Sequence, residues 1–168
     1  MSEYCVVVAG GAKARIYTLE PAELPELQSG PNLVERRTLS NPQRQARAAD
    51  IYAEVRSGRN RPAIGPGHGV HDHREESDRE ADRRFARNIA AEVSELVGRN
   101  GYQHVVLCAE RRMLGLLRPS LTGSLDPKGI QVHEVAKDLL KLDLRQLHDR
   151  LARTGHLPPR REPRATVN

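Results

Sequence analysis

Two uninterrupted apolar stretches, Tyr4–Ala9 and His104–Ala109, stand out from a chain that is otherwise mixed in character. Apolar runs of this length predict strands covered on both faces. Gly10-Gly11 is a turn signal, and the segment after it alternates. Ala14, Ile16 and Thr18 fall on one side; Arg15, Tyr17 and Leu19 fall on the other. A strand, a tight turn and an alternating strand predict a β-hairpin. Pro21, Pro25, Gly30 and Pro31 punctuate the next connection. Leu33–Leu39 then predicts a third strand, placed near a sheet edge by its charges. Ile130–Val135 alternates as a last strand.

Helical spacing appears in between. Phe85, Ile89, Val93, Leu96 and Val97 share one face, which predicts a long helix over about Glu75–Val97. Ser77 with Glu80, or Asp72 with Glu75, fits a capping box. Acidic residues crowd the expected first turns and suit the positive end of the helix dipole. Gly98 and Gly101 are its stop signals. Arg111–Leu117 predicts a short helix that Pro119 kinks or ends. Asp143 is placed to cap a final helix with Leu144, Leu147 and Leu151 on one side. Residues 41–58 have the apolar points of a short helix, Ala46, Ala49, Ile51, Ala53 and Val55.

Residues 57–73 (SGRNRPAIGPGHGVHDH) read as a long loop, and such loops are commonly functional. His156–Asn168 reads as a disordered basic tail carrying Arg160, Arg161 and Arg164. The expected fold is one α/β domain over residues 1–155, with a mixed β-sheet of about five strands and flanking helices.

Composition narrows this further. With one Phe, four Tyr and no Trp, the core must rest on Leu, Val, Ile and Ala. No apolar run nears the ~20 residues that a membrane-crossing helix requires. Cys5–Ala9 is too short for the apolar core of a signal peptide and lacks a basic lead-in, so the expected location is cytoplasmic. Cys5 and Cys108 both lie in predicted buried strands, which suits reduced core thiols.

The net charge is +5, and its placement is uneven. Residues 36–71 hold seven Arg against Asp50 and Glu54, an excess equal to that of the whole chain. Arg56, Arg59 and Arg61 precede Gly65, Gly67 and Gly69. Glycines permit close backbone approach, and guanidinium groups fork onto phosphate oxygens. With His68 and His71 as polar contacts, this stretch is the candidate site for RNA or phosphate. An ordinary solvated loop has the same composition.

Two weaker constellations accompany it. His68, His71, Asp72 and His73 are suitable ligand types for a first-row metal, but no H-E-x-x-H motif or cysteine pair supports them. Glu75, Asp78 and Asp82 recur at helical spacing, yet Arg79, Arg83 and Arg84 interleave with them, the pattern of a solvated face of i,i+4 pairs. There is no G-x-S-x-G elbow, no phosphate-binding P-loop and no G-x-G-x-x-G. No cofactor and no catalytic residue are expected.

Several segments in order resemble the bacterial family named for proteins required for attachment to host cells. They are VVVAGGAKARIYTLE, ADIYAEVRSGRNR with GPGHGVHDHREESD, DRRFARNIAAEVSEL, HVVLCAERRMLGLLRPSL and HEVAKDLLKLDLRQLHDRL. That family is similar to the middle domain of archaeal and eukaryotic peptide-chain release factors and of Pelota-type rescue factors. The resemblance implies an RNase H-like fold. In release factors a Gly-Gly-Gln tip precedes the long helix; here the corresponding position holds Gly65-Pro66-Gly67-His68-Gly69, and no Gly-Gly-Gln occurs. The resemblance therefore implies a non-catalytic module binding RNA or the ribosome. The alternatives are an interaction factor in host-cell attachment that meets an acidic protein partner, and a metal-dependent hydrolase using the His/Asp stretch.

Overall fold

A computed structural model describes residues 3–46 and 68–164. Tyr4–Ala9 forms β1 and Lys13–Glu20 forms β2, the expected antiparallel hairpin, with Val7 opposite Ile16. The turn is closed by the Gly10 amide donating to the Lys13 carbonyl at 2.9 Å. A side chain at Gly10 would meet Leu140 Cδ1 at 2.7 Å, so glycine suits this close approach. Asn32–Ser40 forms β3, antiparallel to β2, with a register shift between Ile16 and Tyr17.

Residues 42–46 are helical and are termed α1. Helix α2 spans His68–Asn100, strand β4 His104–Cys108, helix α3 Arg111–Leu125, strand β5 Gln131–Val135 and helix α4 Leu144–Arg153. The sheet order is β3-β2-β1-β4-β5. β1, β4 and β5 are parallel and β2 and β3 antiparallel, so the mixed five-stranded α/β sheet is as expected, with β3 at an edge.

Alternation sorts the sheet into two cores. Cys5, Val7, Ala14, Ile16, Val105 and Leu107 pack with Phe85, Ile89, Val93 and Val97 of α2 and with Leu114, Leu117 and Leu121 of α3. Val6, Val8, Tyr17, Val106 and Cys108 pack on the opposite face with Leu147 and Leu151 of α4. Each central strand is therefore covered on both sides, which is why β1 and β4 read as unbroken apolar runs. The two cysteines are free and buried, and they belong to opposite cores.

Five expectations need correction. Helix α2 begins at His68, not near Glu75, so residues 68–73 of the expected loop are helical, and residues 57–67 lie outside the described residues. Ser77 and Glu80 consequently sit inside the helix and do not cap it, and its first turn carries no acidic residue. The Arg and Glu residues of this stretch are good helix formers and let the helix extend past the acidic cluster.

Helix α3 runs through Pro119 to Leu125. Leu114, Leu117, Leu121 and Leu125 form one buried stripe, and its burial outweighs the lost backbone hydrogen bond. Pro119 itself is exposed.

Leu144, expected to join Leu147 and Leu151, is instead 46% exposed at the first position of α4. Asp143 does cap this helix, in a reciprocal capping box with Gln146. His148 takes the buried place, with Nε2 2.8 Å from the Pro158 carbonyl oxygen.

The expected disordered tail is a strap over residues 156–164. Leu157 is buried in the α4 core. Arg161 and Gly30 exchange backbone hydrogen bonds at 2.8 and 3.1 Å, and Arg160 donates to Asn32 Oδ1 at 3.0 Å. One apolar residue and one antiparallel bridge are enough to seat a segment whose composition gives no such sign.

Candidate functional site at the carboxyl edge of the sheet

Gly11 follows the carboxyl end of β1 and Glu110 follows that of β4. These strands are adjacent and parallel, and the connections leaving them run to opposite sides of the sheet. A crevice is the usual result at such a point. A cleft of ≈ 330 Å³ opens there, lined by Gly11, Ala12, Arg44, Asp82, Glu110 and Arg112.

The cleft is assembled from four elements. Asn41, at the end of β3, is buried and fastened to the hairpin: its amide donates to the Ala12 carbonyl at 2.9 Å and its Nδ2 to the Gly11 carbonyl at 3.0 Å. Helix α1 then delivers Arg44. Its Nε donates to Asp82 Oδ1 at 3.1 Å and its Nη2 to Oδ2 at 2.8 Å, a bidentate pair. Arg44 Nη1 lies 3.5 Å from Asp78 Oδ2. From the start of α3, Arg112 Nη2 reaches Asp82 Oδ2 at 3.0 Å. Asn41 Nδ2 stands 3.5 Å from Oδ1.

Asp82 is thus surrounded by donors, and its side chain is only 4% exposed. The hydrogen bond to Asp82 is the main cause that pushes the Arg44 pKa above its ordinary value, against burial. A carboxylate with both oxygens engaged by guanidinium groups is poorly placed to ligate a metal or to act as a base. The described chemistry of the cleft is electrostatic fastening.

The carboxylate row is therefore corrected. Glu75 does lie exposed and pairs with Arg79 at i,i+4. Asp78 and Asp82 are buried, because α1 and the start of α3 cover them. The sequence reasoning missed Asn41, Arg44 and Arg112. The i,i+4 spacing of Asp78 and Asp82 was the only local signal, since Arg44 lies 38 positions from Asp82.

Of the proposed phosphate-binding residues, Arg56, Arg59, Arg61, Gly65 and Gly67 lie outside the described residues. His68, Gly69, His71, Asp72 and His73 fall in the first turns of α2. The ion-pair cluster bears directly on this region. Arg44 stands just before residues 47–67 and Asp78 and Asp82 stand just after them, so the two flanks are tied together at the carboxyl edge. Among the described residues, no three His, Cys, Asp or Glu gather as a metal site.

Charge elsewhere is divided unequally. On the α2 side, Arg37, Arg79, Arg83, Arg87 and Arg99 each pair with a carboxylate. Around α4, Lys137, Lys141, Arg145, Arg150 and Arg153 are exposed, and none forms an ion pair among the described residues. Burial pushes both thiols up to about 12, Cys5 and Cys108 alike, which removes them as nucleophiles at neutral pH.

The model of the family described as protein required for attachment to host cells matches residues 5–151. The chain belongs to that family. The match runs from the first strand to the buried Leu151 of α4, so it takes in both cores and the carboxyl-edge cleft. No curated protein matches the chain. Among the described residues no helix is long and apolar enough to cross a membrane.

Proposed function

We propose that this host-attachment family member is an interaction module that meets an acidic protein partner through the arginine- and glycine-bearing stretch before α2. The observation that supports it is the Arg44–Asp82–Arg112 cluster, which fastens both flanks of that stretch at the end of the sheet where ligand crevices form. Fixed flanks reduce the ordering entropy that a partner must overcome. Arg59 and Arg61 supply charge, and Gly65, Gly67 and Gly69 allow close approach.

The experiment compares the wild-type chain with R59A/R61A and with R145A/R150A/R153A in pull-downs at low and high salt, followed by attachment assays. Loss of both partner capture and attachment in R59A/R61A alone is the expected result. Loss only in the α4 variant moves the site to α4, and unchanged capture in R59A/R61A removes the reading.

A second reading rests on the same basic stretch and on the absent Gly-Gly-Gln. It is a non-catalytic, release-factor-middle-domain-like module that contacts RNA or the ribosome. Ribosomal components in the captured fraction, lost on nuclease treatment and at high salt, favour this reading over the protein partner.

A further inference from the structure

At the amino end of the sheet, on the α4 face, three rings stack across adjacent strands. Tyr4 of β1 and His104 of β4 lie with ring centroids 4.7 Å apart and planes 16° from parallel. His104 and His133 of β5 follow at 5.5 Å and 28°. His104 Nδ1 stands 3.3 Å from His133 Nε2. Two nitrogens bound to one tetrahedral ion through bonds of about 2.0–2.1 Å stand about 3.3–3.4 Å apart. The two imidazoles therefore already hold the separation of a ligand pair.

Their surroundings keep them available. Both rings are partly buried. Desolvation, then the charge of His104, then that of His156, pushes the His133 pKa below its ordinary value. A neutral imidazole is the form that binds a metal. His156, at the start of the strap, is close enough for its charge to act on His133. Its Nδ1 contacts Thr154 Oγ1 at 2.6 Å, which leaves Nε2 for a ligand. The ring needs only a side-chain rotation to approach the pair, because no third ligand is already convergent among the described residues.

We propose that His104 and His133 form a binding site for a divalent transition-metal ion of the zinc, nickel and copper class, with His156 as the recruited third ligand and water completing the shell. Imidazole donors select this class over magnesium or calcium. The site lies at the opposite end of the parallel strands from the carboxyl-edge cleft and does not depend on the function proposed above. A bound ion would tie β4, β5 and the strap together, so metal would stabilise the fold by mass action.

The test titrates zinc into the untagged full chain by calorimetry, with H104N, H133N, H156N and the H71N/H73N control. One ion per wild-type chain is expected, with affinity falling by roughly tenfold or more in H104N and in H133N and unchanged in the control. Circular dichroism verifies that the variants fold, and histidine side-chain NMR of the wild type gives a readout that needs no variant. Zinc should shift the His104 and His133 ring resonances together. Absence of binding, an affinity indifferent to H104N and H133N, or a loss confined to H71N/H73N overturns the proposal. An H156N affinity equal to wild type removes the third ligand from it.

Discussion

Arg44 and Asp82 meet through two parallel hydrogen bonds, 3.1 Å from Nε and 2.8 Å from Nη2, and the carboxylate lies almost wholly out of solvent. Removing one partner of such a pair leaves a buried charge with fewer donors. Asp82 would retain Arg112 and Asn41, so R44A should cost about 2 kcal/mol rather than the full penalty of an orphaned ion. Arg112 is 59% exposed, and R112A should cost less than about 1 kcal/mol. Urea denaturation of R44A, D82A and the double variant measures the coupling. Strict additivity would show that the pair is an incidental contact.

Pro119 interrupts the backbone ladder of α3 while facing solvent. P119A restores the amide donor at no cost in packing. Alanine lets the unfolded chain explore more conformations, which offsets part of the gain. A net stabilisation of about 1 kcal/mol is expected. A lower denaturation midpoint would show that the ring contributes contacts worth more than the missing bond.

The strap gives a sharper test, because the sequence pattern assigns it no structure at all. Leu157 is 4% exposed against the α4 core. L157A should destabilise by about 2–3 kcal/mol. Truncation after Gly155 should cost at least as much, because it also removes the Pro158 carbonyl that His148 contacts. Equal midpoints for the truncated and full chains would contradict the packing seen here.

These three sites mark where sequence patterns lead and where they stop. Period-two and period-3.6 spacing leads to β1, β2, β4 and the buried face of α2, since each is dominated by one apolar surface. Pro119 misleads because local propensity at one position is outweighed by four leucines packed elsewhere in the fold. Leu157 and Arg161 are invisible because a single apolar side chain and a single bridge have no period. The cleft is invisible for another reason. Its arginines reach Asp82 from α1 and α3, and only the tertiary fold brings them together.

The two cysteines connect burial with reactivity. Cys5 and Cys108 are fully enclosed, and desolvation holds both thiols up to about 12. At pH 8 iodoacetamide should modify the native chain very slowly and the urea-unfolded chain at both positions, as mass spectrometry would count. Oxidants should leave the pair unlinked in the native state, because the side chains point into opposite cores. The same burial sets a pH dependence. In the unfolded chain the thiols lose their protons near the ordinary value of 9.0, whereas the folded chain keeps them until about 12. The stability tied to these protons is fully present below pH 9 and is lost as pH rises from there towards 12. Relative to the wild type, C5A/C108A should therefore lose less stability between pH 8 and pH 10. Rapid native labelling at pH 8 would show that the sheet opens around β1 and β4 far more readily than its packing implies.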